Sequence, residues 1–446
     1  MVCVMSRCLE DKLLRGGLWI ALALAFAGLV TDFSNTRQYP GVDLRNRVVA
    51  ARMVLTEHDP YHYKWRLGDP LTLYNAREVA ALPVTQVTLT PAAIALHLPG
   101  AWIPYRLHRW LWFFGQWALL LFSIFLLAGS VASPRRRTLV WILGLGVVAG
   151  GVACRFHFER GQIYVLYGCL TIIAYRLALR PAPASQFLSG VVLGLTATFR
   201  PPLGLVLLPA LLWGKWRLVA GGLVGAVAGV AISGALLGAP IWTSYFSTMR
   251  YWQGFVGHLL PDVADPALIP QVAGQAEGWP DLGLAHVWLG GNSAVVRWHG
   301  VWRYMTPARL DLIILVLVLC AALLLWRRRR LRPLVAEHFL AGLALAYCLD
   351  FLLPSARPAY YDILCLTPLA LPLLVADRAF LLSWRNLLWL VTLAGAGIYL
   401  ALWLPDDQFA EVLLAVYLGW LAYTSLTRGL RETGVDRAQS PGLNGA

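Results

Sequence analysis

Charge is scarce in this chain. Only 13% of its 446 residues are Asp, Glu, Lys or Arg, against about 25% in soluble domains, while 59% are apolar and the mean hydropathy is +0.62. That deficit excludes an ordinary soluble enzyme, a disordered chain and a nucleic-acid binder, in spite of a formal net charge of +14. Neither a phosphate-binding P-loop nor a GxGxxG module occurs, which argues against an ATP-driven pump. The seven cysteines, at 3, 8, 154, 169, 320, 348 and 365, include no CxxC pair and no His/Cys cluster. They therefore suggest neither a disulfide framework nor a zinc site. Acidic residues in the middle of apolar runs, expected of a proton-coupled carrier, are also nearly absent.

What the chain has is long apolar runs. A helix crossing a bilayer needs about 20 mostly apolar residues, and candidate spans fall at 16–31, 107–131, 138–154, 162–179, 185–200, 202–213, 217–239, 309–326, 338–353, 361–377, 386–404 and 408–425. That makes twelve, in an all-α polytopic membrane protein with one integral domain over 1–446. The stretch 89–105, interrupted by Pro99 and Pro104, reads as a re-entrant or surface-lying helix. The first run has basic flanks and contains Ala-Leu-Ala, as a signal peptide would, but it continues to Val30 without a clear cleavage context.

Cations set the orientation, because short cytoplasmic loops concentrate Lys and Arg. With the N-terminus inside, the short inner loops carry Arg135–Arg137, Lys215 with Arg217, Arg327–Arg330 and Arg378 with Arg385. Both termini are then cytoplasmic, with a cytoplasmic tail at 428–446, in the cytoplasmic (inner) membrane of the cell. Two large extracytoplasmic loops follow from this, one at 32–106 with juxtamembrane helices and one at 240–308. Long loops are usually functional, and both are rich in aromatics, acids and Arg. The segment from Asp43 to Leu55 has a helix-compatible apolar pattern, which puts Asp43 near a helix N-terminus. A transferase using a lipid-phosphate donor at this face needs a carboxylate to take a proton. It also needs cations for the departing phosphate and flat aromatic surfaces for sugar rings and an acyl chain.

From Asp43 onward the sequence resembles glycosyltransferase family 87. The string GVDLRNRVVAARMVLTEHDPY is similar to that family's first-loop signature: G-x-D, an Ala-Ala pair, then D/N-P-Y. Thr90-Pro91, Leu98-Pro99, Gly161-Gln162, Gly194 ahead of Arg200-Pro201, and Gly291-Asn292-Ser293 with Arg297 follow in order, so the resemblance runs from about 41 to 370. It implies a GT-C fold with an outer-face active site and a polyprenyl-phosphate-mannose donor. The acceptor hydroxyl would sit on a lipid- or glycan-linked molecule, reaction would invert the anomeric carbon, and no metal or other cofactor is required. Carried over residue by residue, it makes Asp43 the general base. Two departures are visible: tyrosines, Tyr360 and Tyr361, stand where the family often has His-His, and Asn46-Arg47 replace a tyrosine common near the start of the first-loop helix.

The candidate site therefore comprises Asp43 as base, with Arg200, Arg357, Arg297 and Gln162 for the donor phosphate. Asn292, Tyr61, His157, Tyr360 and Tyr361 are candidates for substrate contact. Each has a plainer alternative. Asp43 is placed to cap its own helix, Arg200 to snorkel to the interface, and Asp59 before Pro60 to initiate a turn. Arg155, His157, Glu159 and Arg160 read as a short solvated turn between two spans. Competing functions are a secondary transporter or lipid-linked-sugar flippase, for which twelve spans is a common count, and a glycan polymerase or ligase. The halves show no internal repeat of the kind transporters tend to have, and a polymerase would place its decisive residues in a late loop.

Overall fold

The computed structural model describes residues 2–63, 65, 66, 68–78, 87, 89–254, 307–327, 334–352, 359–376, 378–383, 385–393 and 408–428. Among these it is helical throughout apart from turns and connections. Helix α1 (Val2–Gln38) is followed after a three-residue connection by α2 (Val42–Leu55), then by the short α3 (Pro91–Ala95) and the long α4 (Tyr105–Ala128). Next come α5 (Pro134–Ile142), continued as a π-helical stretch Leu143–Ala149, and α6 (Val152–Arg160), α7 (Tyr164–Ala178) and α8 (Pro183–Phe199). A 3₁₀ segment Pro201–Val206 leads into α9 (Leu207–Leu212), α10 (Trp216–Leu237) and α11 (Ile241–Gly254). The C-terminal part contributes α12 (Pro307–Arg327), α13 (Val335–Leu352), a 3₁₀ turn Ala359–Cys365 and α14 (Leu366–Val375). It ends with α15 (Arg378–Leu381) and α16 (Gln408–Arg428).

Three of these helices are long and apolar enough to cross a bilayer: Leu9–Gln38, Tyr105–Ala128 and Trp216–Leu237. Pro134–Ala149 and Ala153–Arg160 make a fourth if the pair, bent by 55°, is one broken span. Six of the other expected spans overlap shorter apolar helices, among them Tyr164–Ala178, Pro201–Leu212 and Val335–Leu349; 185–200 corresponds to α8, and most of 386–404 lies outside the described residues. Proline is one cause of the shortening: Pro201 and Pro202 stop α8, and Pro372 sits inside α14. The apolar side chains that α1 and α4 turn outward, such as Trp19, Phe26, Leu111 and Phe125, are more than half exposed. A face of that kind is stable against lipid rather than water. The chain is a membrane-embedded helical protein.

The stretch 89–105 resolves into α3 and a 3₁₀ turn Leu98–Gly100. The Thr90 hydroxyl caps α3 by accepting from the Ala93 amide at 3.4 Å and donates to the Phe199 carbonyl at 3.2 Å, tying this stretch to the end of α8. Helices α8 and α10 lie so close that a Cβ on Gly190 or Gly194 would fall about 2 Å from a backbone oxygen of α10 (1.9 and 2.0 Å). Glycine is what permits that approach, and the approach holds the end of α8, where Arg200 sits, against the bundle.

Helix α2 is enclosed on nearly every side: Leu44, Val48 and Ala50 are fully buried, and so, to within a few per cent, are Arg45, Arg47 and Arg52. Leu44, Val48, Val49 and Met53 pack on Trp65, Leu73, Tyr74 and Tyr105, while Ala50 and Ala51 pack with Tyr61, Ile94 and Ile241. Buried arginines need acceptors: Arg52 donates from Nε to the Ala101 carbonyl at 2.9 Å, and Arg47 finds its acceptors in the site described next.

Candidate active site

The turn between α1 and α2 sets the position of Asp43. Gly41 there adopts a left-handed conformation (φ 75°) and precedes the first residue of α2. The Tyr105 hydroxyl, at the start of α4, donates to the Pro40 carbonyl and to that of Gly41. Asp43 thus lies in the first turn of α2, where the helix dipole favours a carboxylate. It does more than cap that helix. Its Oδ2 accepts from Arg160 Nε at 2.5 Å and from Gln162 Nε2 at 2.6 Å, and a second Arg160 nitrogen lies 3.4 Å from Oδ1.

Arg160 and Gln162 reach one oxygen because Gly161 between them is left-handed (φ 71°) and ends α6. A Cβ at Gly161 would lie 2.6 Å from Leu44 Cβ and 2.9 Å from an Arg109 guanidinium nitrogen, so the turn is open to glycine alone without rearrangement. Arg47, one helical turn beyond Asp43, donates to the Gly161 carbonyl at 2.6 Å and to Gln162 Oε1. With its oxygen held by a guanidinium, which only donates, the Gln162 amide must present its NH2 to Asp43. Trp112 Nε1 closes the arrangement by donating to the Gln162 carbonyl at 3.0 Å.

Behind this lies a second polar layer. Asp32 pairs with Arg155 Nε at 2.7 Å, Asn35 Nδ2 donates to Glu159 Oε2 at 3.2 Å, and Arg109 donates to the Phe158 and Glu159 carbonyls at 2.7 and 2.8 Å. Asp32 and Glu159 are fully buried, whereas the Asp43 side chain keeps 21% of its surface exposed. Of these three carboxylates Asp43 is the one a substrate hydroxyl can reach.

Residues 155–160, expected as a solvated turn, form the last two turns of α6, with Arg155, His157 and Glu159 buried. Their polarity serves partners on α1, α2 and α4 rather than water. His157 has its Nε2 3.3 Å from Gln116 Oε1 and no exposed surface. Tyr61 is buried as well, its hydroxyl donating to the Leu89 carbonyl at 2.5 Å. Burial first, and then Tyr245 and Asp59, hold that phenol above its ordinary titration range. Asp59 forms the expected turn, accepting from the Tyr61 amide at 2.9 Å. Burial pushes its carboxyl up, but hydrogen bonds from Ser244, His62 and the Tyr61 amide outweigh it and leave the group below the usual carboxylate range.

Arg200 ends α8 in extended backbone (φ −140°), immediately before the two prolines. Its guanidinium carbon lies 4.8 Å from the Tyr361 ring centre and 5.7 Å from that of Tyr164, and the two rings are 4.6 Å apart. Arg200 and Tyr361 are therefore brought together, beside a small apolar pocket walled by Leu203, Leu343, Tyr347 and Pro368. Tyr360 belongs to the same 3₁₀ turn. Asn292, Arg297 and Arg357, like most of the 240–308 loop and the 428–446 tail, lie outside the described residues.

Arg47 and Trp112 are not among the candidate site residues of the sequence, and Arg160 stands there only as part of a turn. Arg47 carried a signal, since it stands four residues after Asp43 on the same helix face. The others become significant only once α6 is placed against α2.

The fold and this polar cluster define a membrane-embedded helical protein with a solvent-accessible carboxylate held by cationic and amide donors at a helix start. A profile of glycosyltransferase family 87 matches residues 88–355, more than half of the chain, and the protein belongs to that family; it is a glycosyltransferase. The matched span is narrower than the 41–370 suggested by the motifs. It contains Arg160, Gln162 and Arg200 but begins after Asp43, which is linked to it by the hydrogen bonds to Arg160 and Gln162. No curated protein and no solved structure gives a significant match.

Proposed function

We propose that this glycosyltransferase moves a hexose, mannose in the first instance, from a polyprenyl-phosphate donor to a hydroxyl of a lipid- or glycan-linked acceptor, with Asp43 as general base. The observation that carries the reading is the Asp43 carboxylate itself: Oδ2 is occupied by Arg160 and Gln162, and the side chain remains partly open. A carboxylate held chiefly through one oxygen, with its other meeting, among the described residues, only the second Arg160 nitrogen at 3.4 Å, is fixed in orientation and keeps acceptor capacity for a proton. Asp43 takes the acceptor proton as the hydroxyl oxygen forms its bond to the anomeric carbon. The bond from that carbon to the phosphate oxygen breaks, and the lipid phosphate leaves with the electron pair, inverting the centre. Arg200, held by Tyr164 and Tyr361, meets the charge that develops on the phosphate, assisted by Arg357 and Arg297. Asn292, Tyr360 and Tyr361 line the substrate side. Gln162 acts through Asp43 rather than on the phosphate, since both ends of its amide are engaged. Tyr61 and His157 support the wall of the site.

In the same reading the chain crosses the cytoplasmic membrane twelve times as a GT-C bundle, with both termini inside and Asp43 at the outer face. The cations of the short loops support that orientation. The test is transfer in proteoliposomes from radiolabelled polyprenyl-phosphate-mannose to a membrane lipid extract. A new labelled product, absent with Asp43→Asn, is expected. Label that stays on the donor while the donor crosses the bilayer would replace the reading with a flippase.

A further inference from the structure

A cleft opens where α1 and α4 emerge at the Asp43 end of the bundle, walled by the end of α1, the 76–78 segment and the start of α4. Four arginines line it: Arg37, Arg77, Arg106 and Arg109. Arg37, Arg77 and Arg106 are exposed and have no ion pair among the described residues. The acid on the rim, Glu78, faces Arg52 at 3.7 Å. Among the described residues Glu78 is the one acid lining the cleft beside four arginines, so positive charge is in excess there, and an anion between the arginines lowers their mutual repulsion. The backbone amides at the start of α4, preceded by Pro104, favour an anion at the same place.

The surroundings of the cleft narrow the class of anion. Phe33 lies one turn before Arg37 on α1, and Trp110 and Phe114 lie one and two turns after Arg106 on α4. Phe33 and Trp110 rings are 4.8 Å apart, and Trp110 stacks on Phe114 at 6.1 Å. Phe33 and Phe114 are about half exposed (47% and 56%) on helices long enough to span a bilayer. Cations at the helix ends and an aromatic strip one to two turns deeper match an amphiphile with a phosphate head and an apolar chain. The cleft also abuts the site already described. Arg109, on its floor, lies within about 3 Å of where a Cβ on Gly41 would be (3.0 Å) and donates to the Glu159 carbonyl beside Arg160.

We propose that this cleft is a second lipid-phosphate site, separate from Arg200, that seats the phosphate head of an anionic lipid with its chain along Phe33, Trp110 and Phe114. It goes beyond the transfer reading and does not depend on it. Two sources supply such a head: a phospholipid of the bilayer, or a polyprenyl phosphate carrying the acceptor.

The test is photo-crosslinking of the full-length protein in detergent with a dodecyl phosphate bearing a diazirine in its chain. Adducts mapped by mass spectrometry are expected on peptides containing Phe33, Trp110 or Phe114. Unlabelled dodecyl phosphate should compete, and the double variant Arg37→Ala with Arg106→Ala should lower the yield at least tenfold. Both arginines are exposed, so the variant should fold, which an unchanged melting temperature would verify. An unchanged yield in the double variant, or competition by dodecanol equal to that of dodecyl phosphate, would overturn the proposal. Stronger competition by phosphatidylglycerol than by polyprenyl phosphate identifies a bilayer lipid, and the reverse order identifies the acceptor carrier. Either ranking supports the site. The crosslink needs no turnover, so it reports on this cleft even where the transfer assay fails.

Discussion

Replacing Asp43 by Asn removes the capacity to take a proton while leaving the two short hydrogen bonds to Oδ2 their acceptor. Arg160 Nε and Gln162 Nε2 both donate to Oδ2, at 2.5 and 2.6 Å. An asparagine oxygen in that position accepts both, while its NH2 stands where Oδ1 accepted from the second Arg160 nitrogen at 3.4 Å, so that longer contact is lost. The loss to the fold is then the difference between a charge-assisted and a neutral hydrogen bond, about 1 to 2 kcal/mol. The loss to catalysis is that of a general base, about 10²- to 10⁴-fold in rate, or roughly 3 to 5 kcal/mol of barrier. Activity should thus fall by two to four orders of magnitude with a melting temperature shifted by only a few degrees. Asp43→Ala makes the contrast: it strands a largely buried Arg160 guanidinium and should lower stability further with no greater loss of rate. The assay is initial-rate transfer of label from polyprenyl-phosphate-mannose, with melting followed in the same detergent. Asp43→Asn retaining activity within threefold of the unaltered protein would refute the assignment of the base and the reading of the clamp around it.

Four further outcomes follow from the same geometry. Gln162→Glu sets a second carboxylate against Asp43, so the acidic limb of the pH–rate profile should move up by about one unit; an unmoved limb would show that Gln162 does not act through Asp43. Gly161→Ala forces a Cβ to 2.6 Å from Leu44 Cβ at a left-handed residue, and should cost at least about 2 kcal/mol, read as lower melting temperature and yield. Tyr361→Phe keeps the ring under Arg200 and should change KM for the donor less than twofold, while Tyr361→Leu should raise it by about 2- to 30-fold, the range of a cation–π contact worth roughly 0.5 to 2 kcal/mol. Asp59 titrates below its ordinary value in the folded protein, so it stabilises the fold above the unfolded value, about 3.9, and that contribution fades as pH falls through the lower folded value. Melting of Asp59→Asn should therefore lie below that of the unaltered protein at pH 7, and the gap should close toward pH 3 and below.

How far the sequence reveals this arrangement depends on whether the information is local. The start of α2 was legible because an acid ahead of an apolar helical pattern is a local signal, and the end of α8 because Arg200 is followed by two prolines. Membrane embedding was legible from composition. The depth and length of individual helices were less so, because proline breaks inside apolar runs leave composition unchanged while shortening the helix. Segment 155–160 departs from the solvated turn its sequence suggests for a different reason. Four polar residues in six look like a hydrated turn when only neighbours are considered, yet three of them have partners more than 100 positions away: Asp32 for Arg155, Asn35 for Glu159, Asp43 for Arg160.

Those pairings share an order that explains both the burial and the site. Asp32, Asn35 and Asp43 meet Arg155, Glu159 and Arg160 in sequence, so α6 lies along the end of α1 and the turn into α2 like a strap. A buried ion pair adds little net stability, but removing one member costs about 3 to 5 kcal/mol. Register along the strap is therefore strongly specified, and Arg160 and Gln162 arrive at Asp43 with little freedom. The same strap separates two aspartates, Asp32 at the end of α1 and Asp43 at the start of α2. Asp32 is sealed with no exposed surface, and Asp43, one turn of chain further on, stays open. The difference arises from Gly41 and Gly161, whose left-handed backbones turn the chain at the two places where the strap ends. Polar residues fixed in this way form a preorganised cluster, because the buried pairs bear the cost of desolvation while Asp43 keeps a partly exposed carboxylate.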